Sequence, residues 1–216
     1  MFECYIGGIL QYDAGKRYPE GYKIISHLDK PNPALISAAN MLQSNHSFKK
    51  GNMKVYVQDA ISKLRDLDMP YFGFPGREHD LLFRAEYRHP DEGEDCSNCD
   101  RAQTVDRAPR PQDGPSIHYG LIASADLTMK DPMFRNELRK SKKVLCFEKE
   151  AAGLMDRFPC IAIRGISDYA DTHKCKKWQP YAAITAAAYA KDLLALLDPD
   201  KVTEDTAAAK VLEQCT

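Results

Sequence analysis

Beyond Gly114 the sequence alternates between short apolar runs and helical segments, and this alternation restricts the fold more than any other feature. Ile117 to Ala123 reads as a buried strand, Met133 to Lys142 as a helix, and Val144-Leu145-Cys146-Phe147 as a second strand. Glu150 to Phe158 reads as a helix, Cys160-Ile161-Ala162-Ile163 as a third strand, and Pro180 to Leu197 as a long helix rich in Ala and Leu. Strands that are apolar throughout have both faces covered, and strands joined through helices pair mostly in parallel. The expected class is α/β, with a largely parallel or mixed buried sheet.

The N-terminal half is patterned differently. Tyr5 to Leu10 fits a short strand. A first helix starts near Pro33, a favoured first-turn residue, and runs through Leu42. Met53, Tyr56, Ile61, Leu64 and Leu67 recur at helical spacing in a second. From Met69 to Gly114 periodicity disappears, and five prolines and the acidic run Asp91-Glu92-Gly93-Glu94-Asp95 take its place. So long a loop is unusual inside a compact domain, so 69–114 is expected to be an insertion without order in its middle or a functional flap. Residues 1–197 then form one domain, and 198–216 a tail.

The 216 residues are 44% hydrophobic, enough for one real core. Lys and Arg total 30 against 31 for Asp and Glu, so bulk charge attracts neither nucleic acid nor an anionic membrane. The short basic cluster Arg139 to Lys143 reads as a solvated helix end. No apolar run approaches the roughly 20 residues of a membrane span, and the first residues do not resemble a signal peptide. Seven cysteines spread along the chain suit free thiols in a reducing, cytoplasmic setting.

Two acidic segments stand where ligands bind in open α/β sheets, at the carboxyl ends of strands. Glu148 and Glu150 lie between the second strand and the following helix, and Asp168 follows the third strand. A carboxylate in a first helical turn is favoured by the helix dipole and suits accepting hydrogen bonds from a sugar diol. A partly buried Asp beside it can serve as an acid. The same residues also fit helix capping and surface ion pairs.

Three motifs add a family resemblance. Phe147-Glu148-Lys149-Glu150-Ala151-Ala152-Gly153 resembles the Glu-Met-Glu-Ala-Ala signature of the nucleoside phosphorylase and methylthioadenosine/adenosylhomocysteine nucleosidase superfamily. Arg164-Gly165-Ile166-Ser167-Asp168-Tyr169-Ala170-Asp171 resembles its Arg-x-Ile-Ser-Asp-x-Ala-Asp signature, and His118 to Asp126 resembles the preceding strand and turn. The fungal branch is similar also in Gly-Gly-x-x-Gln-Tyr-Asp-x-Gly-Lys, here Gly7 to Lys16, and in a Cys-x-x-Cys loop. The resemblance covers about Gly7 to Leu197. It implies a three-layer, phosphorylase-like mixed central sheet flanked by helices. It implies that Glu150 binds ribose hydroxyls and that Asp168 protonates or hydrogen-bonds the purine N7. Ser124, Ala125, Asp126 and Thr128 would form part of the base pocket, with Ser167 nearby and Glu148 and Lys149 beside the sugar. The implied activity is a purine nucleosidase-like N-ribosyl hydrolase acting on a small nucleoside-like ligand without a cofactor.

The sequence departs from that pattern in three ways. The superfamily's opening strands, phosphate site and water-positioning acid are expected to be missing. The sheet edge this exposes predicts a homodimer. Lys149 stands in place of the methionine under the ribose, where a cation ~5 Å from a developing oxocarbenium opposes it by ~3 kcal/mol at an effective dielectric of about 20. Ala125 stands in place of a glycine. These changes leave two alternatives to nucleoside cleavage: an altered relic that binds a nucleoside-like ligand or a protein partner, or an acid pair redirected to an isomerase or cyclase reaction in secondary metabolism.

Weaker candidates complete the reading. Cys96-Ser97-Asn98-Cys99 has zinc-knuckle spacing, with His89 and His79 upstream, but one cysteine pair supplies only two of the four ligands a structural zinc needs, so the expected reading is a plain loop with free thiols and no metal, with zinc the lesser alternative. Trp178 and Tyr181 suit packing of the last helix, and His173 lies close enough to Asp168 to reach the same crevice.

Overall fold

Three short apolar segments, far apart in the chain, meet as one parallel sheet. The computed structural model describes residues 8–25, 31–48, 50–91, 95–110, 114–155 and 158–197. In chain order they form β1 (Ile9–Gln11), a hairpin of β2 (Gly15–Tyr18) and β3 (Gly21–Ile24), α1 (Pro33–Ser47), α2 (Met53–Asp66), β4 (Ile122–Ser124), α3 (Pro132–Lys142), β5 (Cys146–Glu148), α4 (Ala151–Met155) and α5 (Trp178–Leu194). The sheet order is β1-β4-β5, with Leu10 paired to Ala123 and Ala123 to Phe147. β4 is buried along its whole length, as expected of a central strand covered on both faces. The fold is thus mixed α/β, with a small parallel sheet and a two-stranded antiparallel one flanked by helices.

The helix ends follow from local chemistry. Asn32 accepts a hydrogen bond from the Ala34 N–H, ahead of Pro33 in the first turn of α1. Asp131 does the same for Met133 and Phe134 ahead of Pro132, and α3 closes on Lys143 in the left-handed region after a basic last turn. The basic cluster there is a helix end, as the sequence predicts.

The strands are less regular than the apolar runs indicate. Cys160–Ile163, expected as a third strand, joins no ladder among the described residues. A Cβ on Gly165 would lie 1.9 Å from the Ala182 carbonyl oxygen, so this segment runs directly against α5. Ile161 and Ile163 pack into the cluster formed by α1, α2 and α5, so a helical surface buries them in place of a neighbouring strand. The run from Ile117 shortens for the same reason: Ile117 and Tyr119 pack on that cluster, and ladder pairing begins only at Ile122. The β2–β3 hairpin turns through Pro19-Glu20 into Gly21, whose φ of 141° suits glycine. Its strands are mostly exposed and carry no apolar alternation that would reveal them.

Segment 69–114 has no helical or strand period, yet its described parts are packed. Phe83, Cys96 and Cys99 form a small buried cluster covered by Leu81 and Tyr87, and Phe83 bridges to Thr104. The Trp178 indole N–H donates to the His79 carbonyl, tying the segment to α5. The centre of the acidic run, 92–94, and the tail expected over 198–216 lie outside the described residues. Among the described residues no helix is long and apolar enough to cross a membrane.

The larger core joins α1, α2 and α5 through Ala38, Ala39, Leu42, Val57, Ile184 and Leu193. One buried carboxylate sets their corner. Asp192 on α5 is 4% exposed, accepts the Asn52 N–H at 2.9 Å and lies 3.0 Å from His46 Nε2. Gly51 sits in that corner because a Cβ there would lie 1.8 Å from the His46 ring. Asp192→Ala leaves the Asn52 N–H and the His46 imidazole without their shared acceptor and is expected to destabilise the fold by about 2–4 kcal/mol in urea unfolding. A loss below roughly 0.5 kcal/mol, the range of ordinary surface substitutions, would show that the corner does not depend on it.

Candidate functional site

β5, the loop that follows β4, the 160–165 segment and the described part of 69–114 surround one crevice of about 1140 Å³. Its geometry starts with the short helix α4. Glu148 Oε2, buried at the end of β5, accepts the N–H groups of Glu150 and Ala151 at 3.0 and 2.9 Å. Ser124 Oγ, fully buried at the end of β4, accepts the N–H of Ala152 at 3.0 Å. Two adjacent strands thus satisfy the free amides of the α4 start, a capping role for both side chains. Glu148 Oε1 and the Tyr12 hydroxyl are buried without a hydrogen-bond partner among the described residues. Burial, then the charges of Asp13 and Glu148, push the Tyr12 phenol up to about 12.

With the helix start held, Glu150 projects outward. Its side chain is 60% exposed, lines the crevice and pairs with Arg164 at 3.2 Å. Asp168 lines the same crevice, 21% exposed, and pairs with Lys174 at 3.1 Å. Its other oxygen accepts the Ala170 N–H at 2.9 Å, in a turn where Ala170 adopts φ 52°. The structure therefore brings Glu150 and Asp168 to one cavity, each with a cation of its own.

The remaining expected residues divide. Lys149 is exposed on the crevice wall, and Thr128 and Ser167 also line it. Ser124, Ala125 and Asp126 do not. Ala125 is buried and outside the positive-φ region, so the alanine there strains nothing. Asp126 is exposed and donates its N–H to Asp13. Cys146, on the wall, is a thiol pushed up to about 11 by burial.

Sequence patterns miss the groups that hold the Asp168 turn. Arg135 on α3 donates to the Tyr169 carbonyl at 2.6 Å and to Asp171 at 3.2 Å, and Asp171 in turn accepts the His173 N–H at 2.8 Å. The 69–114 segment grips the turn from the other side. Tyr169 donates to Asp80, and Arg107 and Arg110 pair with the same carboxylate. Burial alone would raise the Asp80 carboxyl, but these hydrogen bonds outweigh it and hold it below its ordinary value. No local period marks the contacts of Arg135 and Asp80 with the turn, because their partners lie 34 to 89 residues away.

Next to that grip, His89, Cys96 and Cys99 are all buried, and their ligand atoms lie within 4.8 Å of one another. The two cysteines are free thiols, and burial followed by the charge of Cys99 pushes Cys96 up to about 12. His79 is outside this group.

No protein-family model matches the chain, and no solved structure does. The chain is similar to part of a fungal protein. Over 194 residues it is 38% identical to a nucleotide-binding leucine-rich repeat (NLR)-like protein of Hyaloscypha variabilis, a match covering 89% of this chain and 19% of that protein. The chain thus spans about a fifth of the length of that relative.

Capping and ligand-facing carboxylates are separable by stability. Glu148→Ala removes the acceptor of two amides and is expected to cost about 2–3 kcal/mol. Glu150→Ala, whose ion pair is exposed, is expected to shift the unfolding free energy by less than about 1 kcal/mol. Equal losses in chemical denaturation would mean that Glu150 also belongs to the scaffold.

Proposed function

We propose that the chain is a purine nucleosidase-like N-ribosyl hydrolase with the three-layer plan of the nucleoside phosphorylase superfamily. The observation that carries this reading is that Glu150 and Asp168, from different signature segments, open onto one crevice. Glu150 accepts hydrogen bonds from the ribose 2′- and 3′-hydroxyls, with Arg164 holding its carboxylate in place. Asp168 serves the purine N7, transferring or sharing a proton as the glycosidic electron pair moves onto the base. The sugar passes through an oxocarbenium-like state, and water supplies the hydroxyl of the ribose product. The tight mounting of the Asp168 turn by Arg135 and Asp80 keeps the acid in one geometry, which is what proton transfer at a fixed atom requires.

A second reading has its own observation. Lys149, Arg164 and Lys174 all line the crevice, and this concentration of cations suits a phosphorylated or otherwise anionic nucleoside-like ligand held without cleavage. In that case the chain is a binding module.

Adenine release from adenosine and methylthioadenosine distinguishes them. Under the hydrolase reading, Asp168→Asn and Glu150→Gln each lower the rate at least about a hundredfold, within the usual contribution of a positioned acid. Lys149→Met raises it by about one to two powers of ten, because a cation opposing the sugar's developing charge is gone. Absence of adenine release by all variants, together with an AMP affinity weakened about tenfold or more by Lys149→Met, would overturn the hydrolase reading in favour of the binding module.

A further inference from the structure

The His89, Cys96 and Cys99 group has no part in the chemistry proposed for the crevice, and it is built like a ligand set. The two cysteines stand at Cys-x-x-Cys spacing, and both are buried without forming a disulfide. The His89 side chain is 4% exposed and its ring lies between the Asp91 and Asp95 carbonyls, one of which gives way when the ring ligates a metal. Its backbone N–H donates to Thr172 Oγ1 at 3.0 Å, which joins this loop to the segment just after Asp168. Three ligand atoms within 4.8 Å are close to a tetrahedral zinc set, whose donors lie about 3.3–3.8 Å apart for bonds of about 2.0–2.3 Å.

The fourth donor comes from outside that group, on a neighbouring ring. The His173 ring packs against His89 with centroids 5.3 Å apart and stacks on Phe83 at 4.1 Å. Its side chain is 2% exposed, and Nε2 is buried with no hydrogen-bond partner among the described residues. A buried imidazole nitrogen without a partner, on a ring packed against His89, is costly unless something ligates it. The other ring nitrogen, Nδ1, faces Asp171 at 3.8 Å, and Asp171 is anchored by Arg135 at 3.2 Å. A carboxylate behind the far nitrogen is the usual support of a zinc-bound histidine, since it sets the tautomer that leaves Nε2 free to bind.

We propose that Cys96, Cys99, His89 and His173 bind one structural zinc ion that fastens the 69–110 segment to the turn carrying Asp168. The donor types favour zinc over magnesium or calcium, which take oxygen ligands. Two thiolates cancel the charge of Zn²⁺ and two imidazoles stay neutral, so the filled site adds no net charge to the interior. Binding is balanced by release of two thiol protons to solvent. The site also accounts for how a segment without secondary-structure period stays packed: among the described residues its own cluster is small, with Phe83, Cys96 and Cys99 as its buried members. Its ligand His173 lies five positions from Asp168 along the chain, so loss of the ion loosens the mounting of the acid whichever ligand the crevice takes.

The test uses the full chain purified under reducing conditions without a metal-affinity column. Mass spectrometry of metals is expected to find close to one zinc per chain, and Cys96→Ser/Cys99→Ser to retain less than about a tenth of that. Cobalt titration of the metal-free wild type is expected to give the intense visible bands and thiolate charge-transfer band of a tetrahedral two-sulfur site. His173→Gln is expected to weaken zinc at least about a hundredfold against a chromophoric chelator. The cobalt spectrum of the wild type decides the matter even where a variant fails to fold. Wild type without zinc and without tetrahedral cobalt bands overturns the site. His173→Gln with unchanged affinity and spectrum overturns the four-ligand set.

Discussion

The start of α4 is the point on which the geometry of the crevice depends. Its free amides are taken up by Ser124 at the end of β4 and Glu148 at the end of β5, two buried side chains on neighbouring strands. Because both acceptors belong to the sheet, the helix cannot rotate without breaking the strand ends, and Glu150 leaves the first turn in one direction. A carboxylate spaced two residues from another is thus divided by burial into a structural oxygen and a solvent-facing one. That division is electrostatically sensible, since a buried carboxylate is tolerated where amides donate to it and an outward one where a cation pairs with it.

The opposite wall is held by different means. The Asp168 turn has no regular structure of its own, so its shape rests on side chains that reach in from elsewhere: Arg135 from α3, Asp80 from the long segment, and Lys174 on the carboxylate itself. Gly165 lets the chain approach α5 closely enough for that turn to face α4. The crevice is consequently a composite of one rigid rim and one clamped rim, and the clamps are polar, partly buried and mutually paired. Networks of this kind rigidify when every member is satisfied and loosen together when one is removed.

This arrangement also bears on the relative. The match spans about a fifth of an NLR-like protein, while the crevice, the clamps and the cysteine–histidine group are features of this chain. The contacts that shape the site lie within the described residues of one chain.

The sequence by itself determined the helices and the α/β class, because amphipathic period, first-turn prolines and capping side chains are local. Pro33 with Asn32, Pro132 with Asp131, and the alanine-rich run of α5 all act within a few residues. It also singled out Glu148, Glu150 and Asp168, since acidic residues following apolar runs mark the ends of strands. Only the tertiary structure decided that Glu148 and Ser124 cap a helix while Glu150 and Asp168 face the crevice, because burial is a property of what surrounds a side chain. It likewise decided that Ile161 and Ile163 are covered by helices without strand pairing, an outcome an apolar run cannot distinguish from a buried strand. The meeting of His89, Cys96 and Cys99 beside His173 was beyond any local pattern. The histidine donors are 84 positions apart, and only the folding of a non-periodic segment against the Asp168 turn brings their rings together.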